Sequence, residues 1–259
     1  MRIVPAKNGA AWLGRGLVLF RRNPPAWLLA VLVYWLAVGL LGQLPHIGRA
    51  LSMLVLPPFT MSFMALCALL EAGAPLRPRL LVDAFRARLP VLVTLGALYL
   101  VCILAVLALA SLVDDGVLLD WALEGREPQP DAIAEGRASR GLLAGALGLT
   151  PVMMAFWFAP PLVGWGGMGA AQSLFYSFFA AWRNWRAFLV YGAMLMLGGV
   201  AVLAAMSMVA VLTHGNADSV HAALLAATLL SLPILFGSFY ASYREVFPEA
   251  GAAARPGAS

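Results

Sequence analysis

Few residues in this chain have the types and spacing that chemistry requires. His46, His214 and His221, with Asp218 nearby, could bind zinc or a similar ion, but their spacing matches no ligand motif, so no metal site is expected. Asp114 and Asp115 form a carboxylate pair of the kind that relays protons, although the start of a solvated loop explains them equally well. Gly164, Gly166 and Gly169 spell G-x-G-x-x-G. An apolar helix rather than a strand precedes them and no acid follows about 20 residues on, so they read as a junction and not as a nucleotide site. Cys67 and Cys102 lie inside apolar stretches without C-x-x-C spacing, which is the setting of small, inert, buried thiols. There is no H-E-x-x-H, G-x-S-x-G or Walker motif. The expectation is therefore no catalytic residue, no cofactor and no enzymatic activity.

The elements that would position such residues are membrane spans. Of the 259 residues 62% are apolar and only 11% are charged, against about 25% in ordinary soluble domains. Too little charge is present to cover a folded surface in water, so the bilayer must be part of the solvent. Apolar runs cover residues 24–44, 47–72, 90–113, 141–168, 186–213 and 219–243. Each reaches the roughly 20 residues that cross about 30 Å of hydrocarbon at 1.5 Å per residue. Backbone groups in lipid must bond within their own segment, so each run is predicted to be a helix. The first run is too long for a signal-peptide core and lacks a cleavage site, so it reads as a retained span. The expected fold is all-α: a six-span integral membrane domain over 1–247, with a disordered tail over 248–259 and no second, soluble domain.

Charge sets the expected orientation. With the N-terminus inside, the outer segments carry only Arg49, Arg126, Arg137 and Arg140, and the other thirteen of the 17 basic residues fall inside. This positive-inside bias puts both termini in the cytoplasm. The net charge of +5 belongs to that pattern and to attraction for anionic lipid, and nucleic acid is not an expected partner.

A unit recurs three times. Each copy opens with a short segment ending in an aromatic residue and arginines: L-F-R-R-N-P (19–24), A-F-R-A-R-L-P (84–90) and A-W-R-N-W-R-A-F (181–188). A span, an outer loop and a second span containing proline follow. The prolines are Pro57 and Pro58, Pro160 and Pro161, and Pro233. Proline removes an N–H and clashes with the preceding turn, so helices 2, 4 and 6 are expected to break or kink there. Helical spacing makes the opening segments amphipathic. Leu13, Leu17 and Phe20 oppose Asn8, Arg15 and Arg22; Leu81, Phe85 and Leu89 oppose Arg79, Asp83 and Arg86; Phe175, Phe178, Trp182 and Trp185 oppose Gln172, Tyr176 and Arg183. Arginine beside aromatics suits a helix lying in the headgroup plane. The fold reading is thus three helical hairpins, each introduced by a cytoplasmic interfacial helix. Gly141, Gly145 and Gly148, and Ala201 with Ala205, have the small-residue spacing of close helix packing.

Several segments carry a family resemblance: V-P-A-K-N-G-A-A-W-L (4–13), L-G-A-L-Y-L (95–100), F-A-P-P-L-V (158–163), A-A-W-R-N-W-R-A-F-L-V-Y (180–191) and S-F-Y-A-S-Y-R-E-V-F (238–247). The chain resembles a family of bacterial six-helix inner-membrane proteins with no established activity. More remotely it is similar to the membrane domain attached to some glycerophosphodiester phosphodiesterases. The resemblance implies a fold and a location without a mechanism. The phosphodiesterase's catalytic residues belong to a separate soluble domain, so none carries over.

Two functions remain open. The first is non-enzymatic: engagement of anionic membrane lipid or a membrane-protein partner through Arg21, Arg22, Arg86, Arg88, Arg183, Arg186, Trp182 and Trp185. The alternative is a transporter or channel for a small or lipidic molecule along the proline-containing helices. It predicts a polar or roomy cavity near Pro57, Pro160 and Pro233.

Overall fold

Apolar runs without a polar face cannot form sheets in lipid, and the described residues contain helices and no strand. The computed structural model describes residues 1–45, 47–76, 78–86 and 88–248. His46, Arg77, Arg255 and the tail from 249 lie outside the described residues, as do the side chains of Arg49 and Leu81. In chain order the helices are α1 (Asn8–Arg22), α2 (Pro24–Gly42), α3 (Gly48–Ala72), α4 (Pro78–Arg86), α5 (Leu89–Asp114), α6 (Val117–Glu124), α7 (Pro130–Ala134), α8 (Arg137–Trp157), α9 (Ala159–Gly164), α10 (Ala170–Arg183), α11 (Trp185–Leu212) and α12 (Ala217–Val246).

Six stretches are long and apolar enough to cross a bilayer: α2, α3, α5, α8 with α9, α11 and α12, with mean hydropathy from 1.8 to 2.8. They coincide with the six expected runs to within a few residues. The fourth differs most, because it starts at Arg137, ends at Gly164 and is two helices rather than one. The loop between α5 and α8 carries α6 and α7, and residues 125–129 around the E-P-Q-P stretch are without helix.

Asparagines separate short helices from spans. Asn23 parts α1 from α2; its side-chain oxygen accepts from the Ala26 N–H at 3.1 Å while Pro24 opens the next helix. Pro at the first helical position loses nothing, since that N–H has no partner within the helix. Asn184 parts α10 from α11 without capping the second helix, its side chain being turned to other partners.

The tightest packing is between helices far apart in the chain. α1 lies along α12, where a Cβ on Gly237 would come 2.8 Å from the Gly16 Cα. Gly9 of α1 meets the Ala187 carbonyl and the Tyr191 N–H of α11 as closely. Only glycine lets backbones approach to this degree. The buried face of α1 is therefore Gly9, Trp12, Gly16 and Leu19. This corrects the expected division: Leu13 and Phe20 only flank the core, and α1 is wedged into the bundle. Gly141, Gly145 and Gly148 likewise seat α8 against Asp114, Leu118 and Val106. Ala201 and Ala205 are exposed and pack against nothing comparable.

Burial is uneven along the spans. Trp12, Trp27, Phe63, Met64, Phe158, Tyr240 and Tyr243 are fully or almost fully buried at the end that holds α1 and the last turns of α12. Residues 192–232, covering most of α11 and the first half of α12, include none that is buried. The bundle is thus closed at one end, while at the other α5 and α8 stay packed and α11 and α12 bury little.

Candidate functional site

At the closed end, segments from the beginning, middle and end of the chain are tied together by polar groups, of which Asn184 is buried, Glu245 partly buried and Glu71 exposed. Glu245 lies in the last turn of α12, where a carboxylate opposes the helix dipole and needs partners. It has three: the Asn8 amide, the Trp12 indole N–H at 2.8 Å and the Arg15 guanidinium at 3.2 Å. Asn184 is equally occupied. Its oxygen accepts from the Val4 N–H at 2.8 Å, and its amide donates to the carbonyls of Arg2 and Ala180. The Arg2 N–H reaches the Val246 carbonyl at 2.8 Å, which places the first residues beside the end of α12. Glu71 ends α3 under similar strain and accepts from the Tyr240 hydroxyl at 2.7 Å, with Arg244 at 3.6 Å. Three of the resemblance segments, 4–13, 180–191 and 238–247, therefore meet in one knot.

Around the knot lie the arginines. Arg22 turns inward and donates to the Leu70 and Glu71 carbonyls at 2.7 and 3.0 Å, capping the end of α3. Asn8 and Arg15, also assigned to the polar face of α1, are held by Glu245, so that face is turned to protein as much as to water. Arg21, Arg86, Arg88, Arg183 and Arg186 are exposed, and among the described residues none of them is ion-paired. Arg186 stacks over Trp185 at 5.5 Å. On α4, Arg79 pairs with Asp83 at 3.7 Å, while Phe85 packs on a small core formed by Met61, Leu92, Leu95, Ala159 and Val163.

α10 turns an aromatic surface outward. Phe175, Tyr176, Phe179 and Trp182 are all more than 40% exposed, and their rings run as a contiguous strip with Phe178. Its inward face is small and polar: Ser173, Ser177, Ala180 and Ala181. The serines explain how so aromatic a helix can dock without burying its rings, because two hydroxyls and two methyls let it lie close to α8.

The prolines behave in two ways. Pro57 and Pro58 sit inside an unbroken α3, and Pro233 inside an unbroken α12, so the expected breaks at these three positions do not occur. At Pro57 and Pro58 the carbonyls deprived of their donors belong to Met53 and Leu54. Gly96 of α5 packs on just these atoms: a Cβ there would stand 2.7 Å from the Met53 oxygen and 2.8 Å from the Leu54 oxygen. The neighbouring backbone thus covers what proline exposes. Pro160 and Pro161 do coincide with a break, between α8 and α9. There the Ser177 hydroxyl of α10 donates to the Met154 carbonyl and accepts from the Phe158 N–H, both at 2.8 Å. Those two groups would bond directly in a continuous helix; a side chain inserted into the ladder opens it. Pro151, not singled out from sequence, also lies inside α8.

Between the proline-bearing helices is a cavity of about 380 Å³ lined by Leu56, Pro57, Thr60, Tyr99, Met153, Phe156, Trp157, Pro160, Tyr191, Leu195, Leu232, Leu235, Phe236 and Phe239. Its size falls in the range of ligand pockets, about 300–1,000 Å³. No lining residue is charged. The Thr60 hydroxyl is taken by the Leu56 carbonyl, and the Tyr191 hydroxyl by Ser238 at 2.7 Å. The chamber is roomy and apolar, not polar.

The remaining candidates are accounted for locally. Asp114 is fully buried, not at the start of a solvated loop: its carboxylate accepts from the Gly116 and Leu118 N–H groups at 3.0 and 2.8 Å and so caps α6. Asp115 is exposed in a left-handed turn, φ 56°. His214, Asp218 and His221 are exposed, and among the described residues no three His, Cys, Asp or Glu side chains are grouped to hold a metal. Gly164–Gly169 forms the turn from α9 to α10, with Gly167 at φ 66°. Cys67 is buried and directed to the Phe236 carbonyl, and Cys102 is half-buried.

Sequence comparison now bears on identity. The chain is 38% identical to a probable inner membrane protein of Burkholderia thailandensis, over 99% of this chain and 97% of that one. It belongs to the same family. With six spans, this makes it a multi-pass inner-membrane protein. No family profile matches the chain, and no solved structure matches it. The likeness to the phosphodiesterase membrane domain gains no support from these comparisons.

Sequence reasoning did not single out Glu71, Glu245, Asn184 or Ser177. A signal existed for the two acids: each is a lone carboxylate at the wrong end of a helix dipole, amid basic residues. Ser177 gave none beyond being polar in an apolar neighbourhood, and Asn184 marked a junction without showing that its side chain would tie in the N-terminal segment.

Proposed function

We propose that this protein is a non-enzymatic component of the inner membrane that engages anionic lipid through a basic, aromatic cytoplasmic face. In this reading the closed end, with both termini, lies at the cytoplasmic surface. The spans act as three hairpins, α4 and α10 lie in the headgroup plane, and α1 is the one opening helix drawn into the bundle. A membrane-protein partner carrying anionic charge would use the same face.

The observation that carries the reading is α10. Its large rings face outward although its small residues face in, and Arg183 and Arg186 stand exposed where it joins α11. In water, four exposed rings on one short helix would be costly; at the boundary of headgroups and acyl chains they are at home. Unpaired arginines at the same end add attraction to an anionic leaflet, falling off within a Debye length.

The test replaces Arg21, Arg86, Arg88, Arg183 and Arg186 with glutamine and leaves Arg22, which caps α3, in place. Protein is extracted into discs of mixed anionic and zwitterionic lipid, and the lipid that co-purifies is quantified. The variant should lose its anionic excess. Equal enrichment in the variant and the parent would remove the basis for the proposal.

A further inference from the structure

We propose that the apolar chamber holds one acyl chain of a membrane phospholipid, which enters sideways from the cytoplasmic leaflet. This rests on the orientation adopted above and extends the lipid reading from the surface to the interior. Depth is the first argument. Tyr191 lies six residues into α11 and Tyr99 ten residues into α5, hence about 9 and 15 Å along those helices at 1.5 Å per residue. Half of a hydrocarbon core is about 15 Å, so the chamber opens within the acyl region of that leaflet, and Leu56, 15 residues before Glu71 in α3, carries its far wall past the midplane.

Chemistry is the second argument. No lining residue is charged, the Thr60 and Tyr191 hydroxyls are paired and the Tyr99 hydroxyl points at the Met153 sulfur at 3.6 Å; apart from the buried, unpartnered indole N–H of Trp157 the walls offer a chain an almost continuous apolar surface. Water would find too few partners there. The pocket of about 380 Å³ is a cleft open at its side, and left unfilled it would deprive its apolar walls of dispersion contacts. In a bilayer the filler at hand is a lipid tail.

Closure is the third argument. Toward the knot, the Trp157 ring meets Phe188, Tyr191 and Phe239 edge-on at 5.5–5.7 Å, and Phe158 packs against Phe188, Tyr243 and Phe247 behind it. These rings form a floor. The chamber is a dead end for a chain rather than a conduit from one face of the membrane to the other.

Two measurements test this. In native mass spectrometry after exhaustive delipidation in detergent, the parent should retain one phospholipid mass per chain, and Leu195→Trp, which fills the chamber, should lose it. Retention unchanged by Leu195→Trp would place the lipid elsewhere. A retained isoprenoid in place of phospholipid would overturn the assignment of the occupant. A parent that retains nothing would overturn the chamber while leaving the arginine face standing, because that face is read from anionic enrichment in discs. Should Leu195→Trp fail to fold, the fluorescence of the parent and of Trp157→Phe decides. Discs made with phospholipid brominated along the chain should quench Trp157, seen as quenching lost in Trp157→Phe. Equal fractional quenching in the parent and Trp157→Phe would mean that no chain reaches the chamber.

Discussion

Removing one oxygen atom at Ser177 should destabilise the whole bundle. The hydroxyl is fully buried and bridges the Met154 carbonyl and the Phe158 N–H across the break in the fourth span. Ser177→Ala keeps the size and leaves both groups without their partner in an apolar setting. Each buried orphan costs about 1–3 kcal/mol. The two could partly re-form a direct helical bond, but α10 would have to withdraw from α8, so a net loss of about 2–3 kcal/mol is expected. For a chain of this size that corresponds to a fall in Tm of about 4–12 °C. Cys67 supplies the assay, since it is fully buried and reacts with a fluorogenic maleimide only on unfolding; Cys102 is first replaced by serine. Ser173→Ala is the control. That serine is equally buried, but its hydroxyl bonds only the Ala170 carbonyl of its own helix, so its loss should cost under about 1 kcal/mol. If both variants melt together, Ser177 is not what closes the broken span.

Other variants probe the knot and the crossings. Glu245→Gln keeps the shape but removes a charge that the Asn8, Trp12 and Arg15 donors share; a loss of about 1.5–3 kcal/mol is expected in the same thiol assay. Arg15→Ala, which removes the most exposed of the three donors, should cost less than about 1 kcal/mol. Gly16→Leu should abolish stable expression, because its side chain would enter the Ile234 carbonyl and the Ser238 N–H of α12, whereas Gly14→Leu, with open space around it, should express normally. Single cysteines introduced at Lys7 and at Pro248, in a background without Cys67 and Cys102, should both react with a membrane-impermeant maleimide only after the inner membrane is opened. Labelling of either from outside would reverse the orientation.

The six spans were legible because crossing hydrocarbon imposes a length and a composition, and nothing else in this chain imitates them. The junctions at Asn23 and Asn184 were legible too, since R-R-N-P and W-R-N-W interrupt the apolar text abruptly. What could not be read was which face of a short helix meets protein. On α1 the spacing of leucines pointed one way, yet the helix docks through Gly9 and Gly16, and glycine carries no hydrophobic signal. Prolines misled for a related reason. Whether proline breaks a helix depends on what covers the carbonyls it frees: at Pro57 and Pro58 that is Gly96, about 40 residues away, and at Pro160 it is Ser177 on another helix. Asp114 looked like a loop residue because its partners are N–H groups, which every sequence has.

The uneven burial ties these observations to the lipid reading. A polar knot of Glu245, Glu71, Asn184 and their donors costs desolvation unless every member is satisfied, and nearly every one is. Such a knot holds one end of the spans in one arrangement. Beyond it α11 and the outer half of α12 bury almost nothing, so they are free to part from their neighbours without breaking a polar contact. The chamber lies where the closed end gives way to the lightly packed stretch of α11 and α12, walled by Tyr191 and Phe239 on one side and Leu195 and Leu232 on the other. A site that must admit a lipid tail from the side needs a rigid floor and yielding walls. Tight packing throughout would exclude the chain, and looseness throughout would give it nothing to press against.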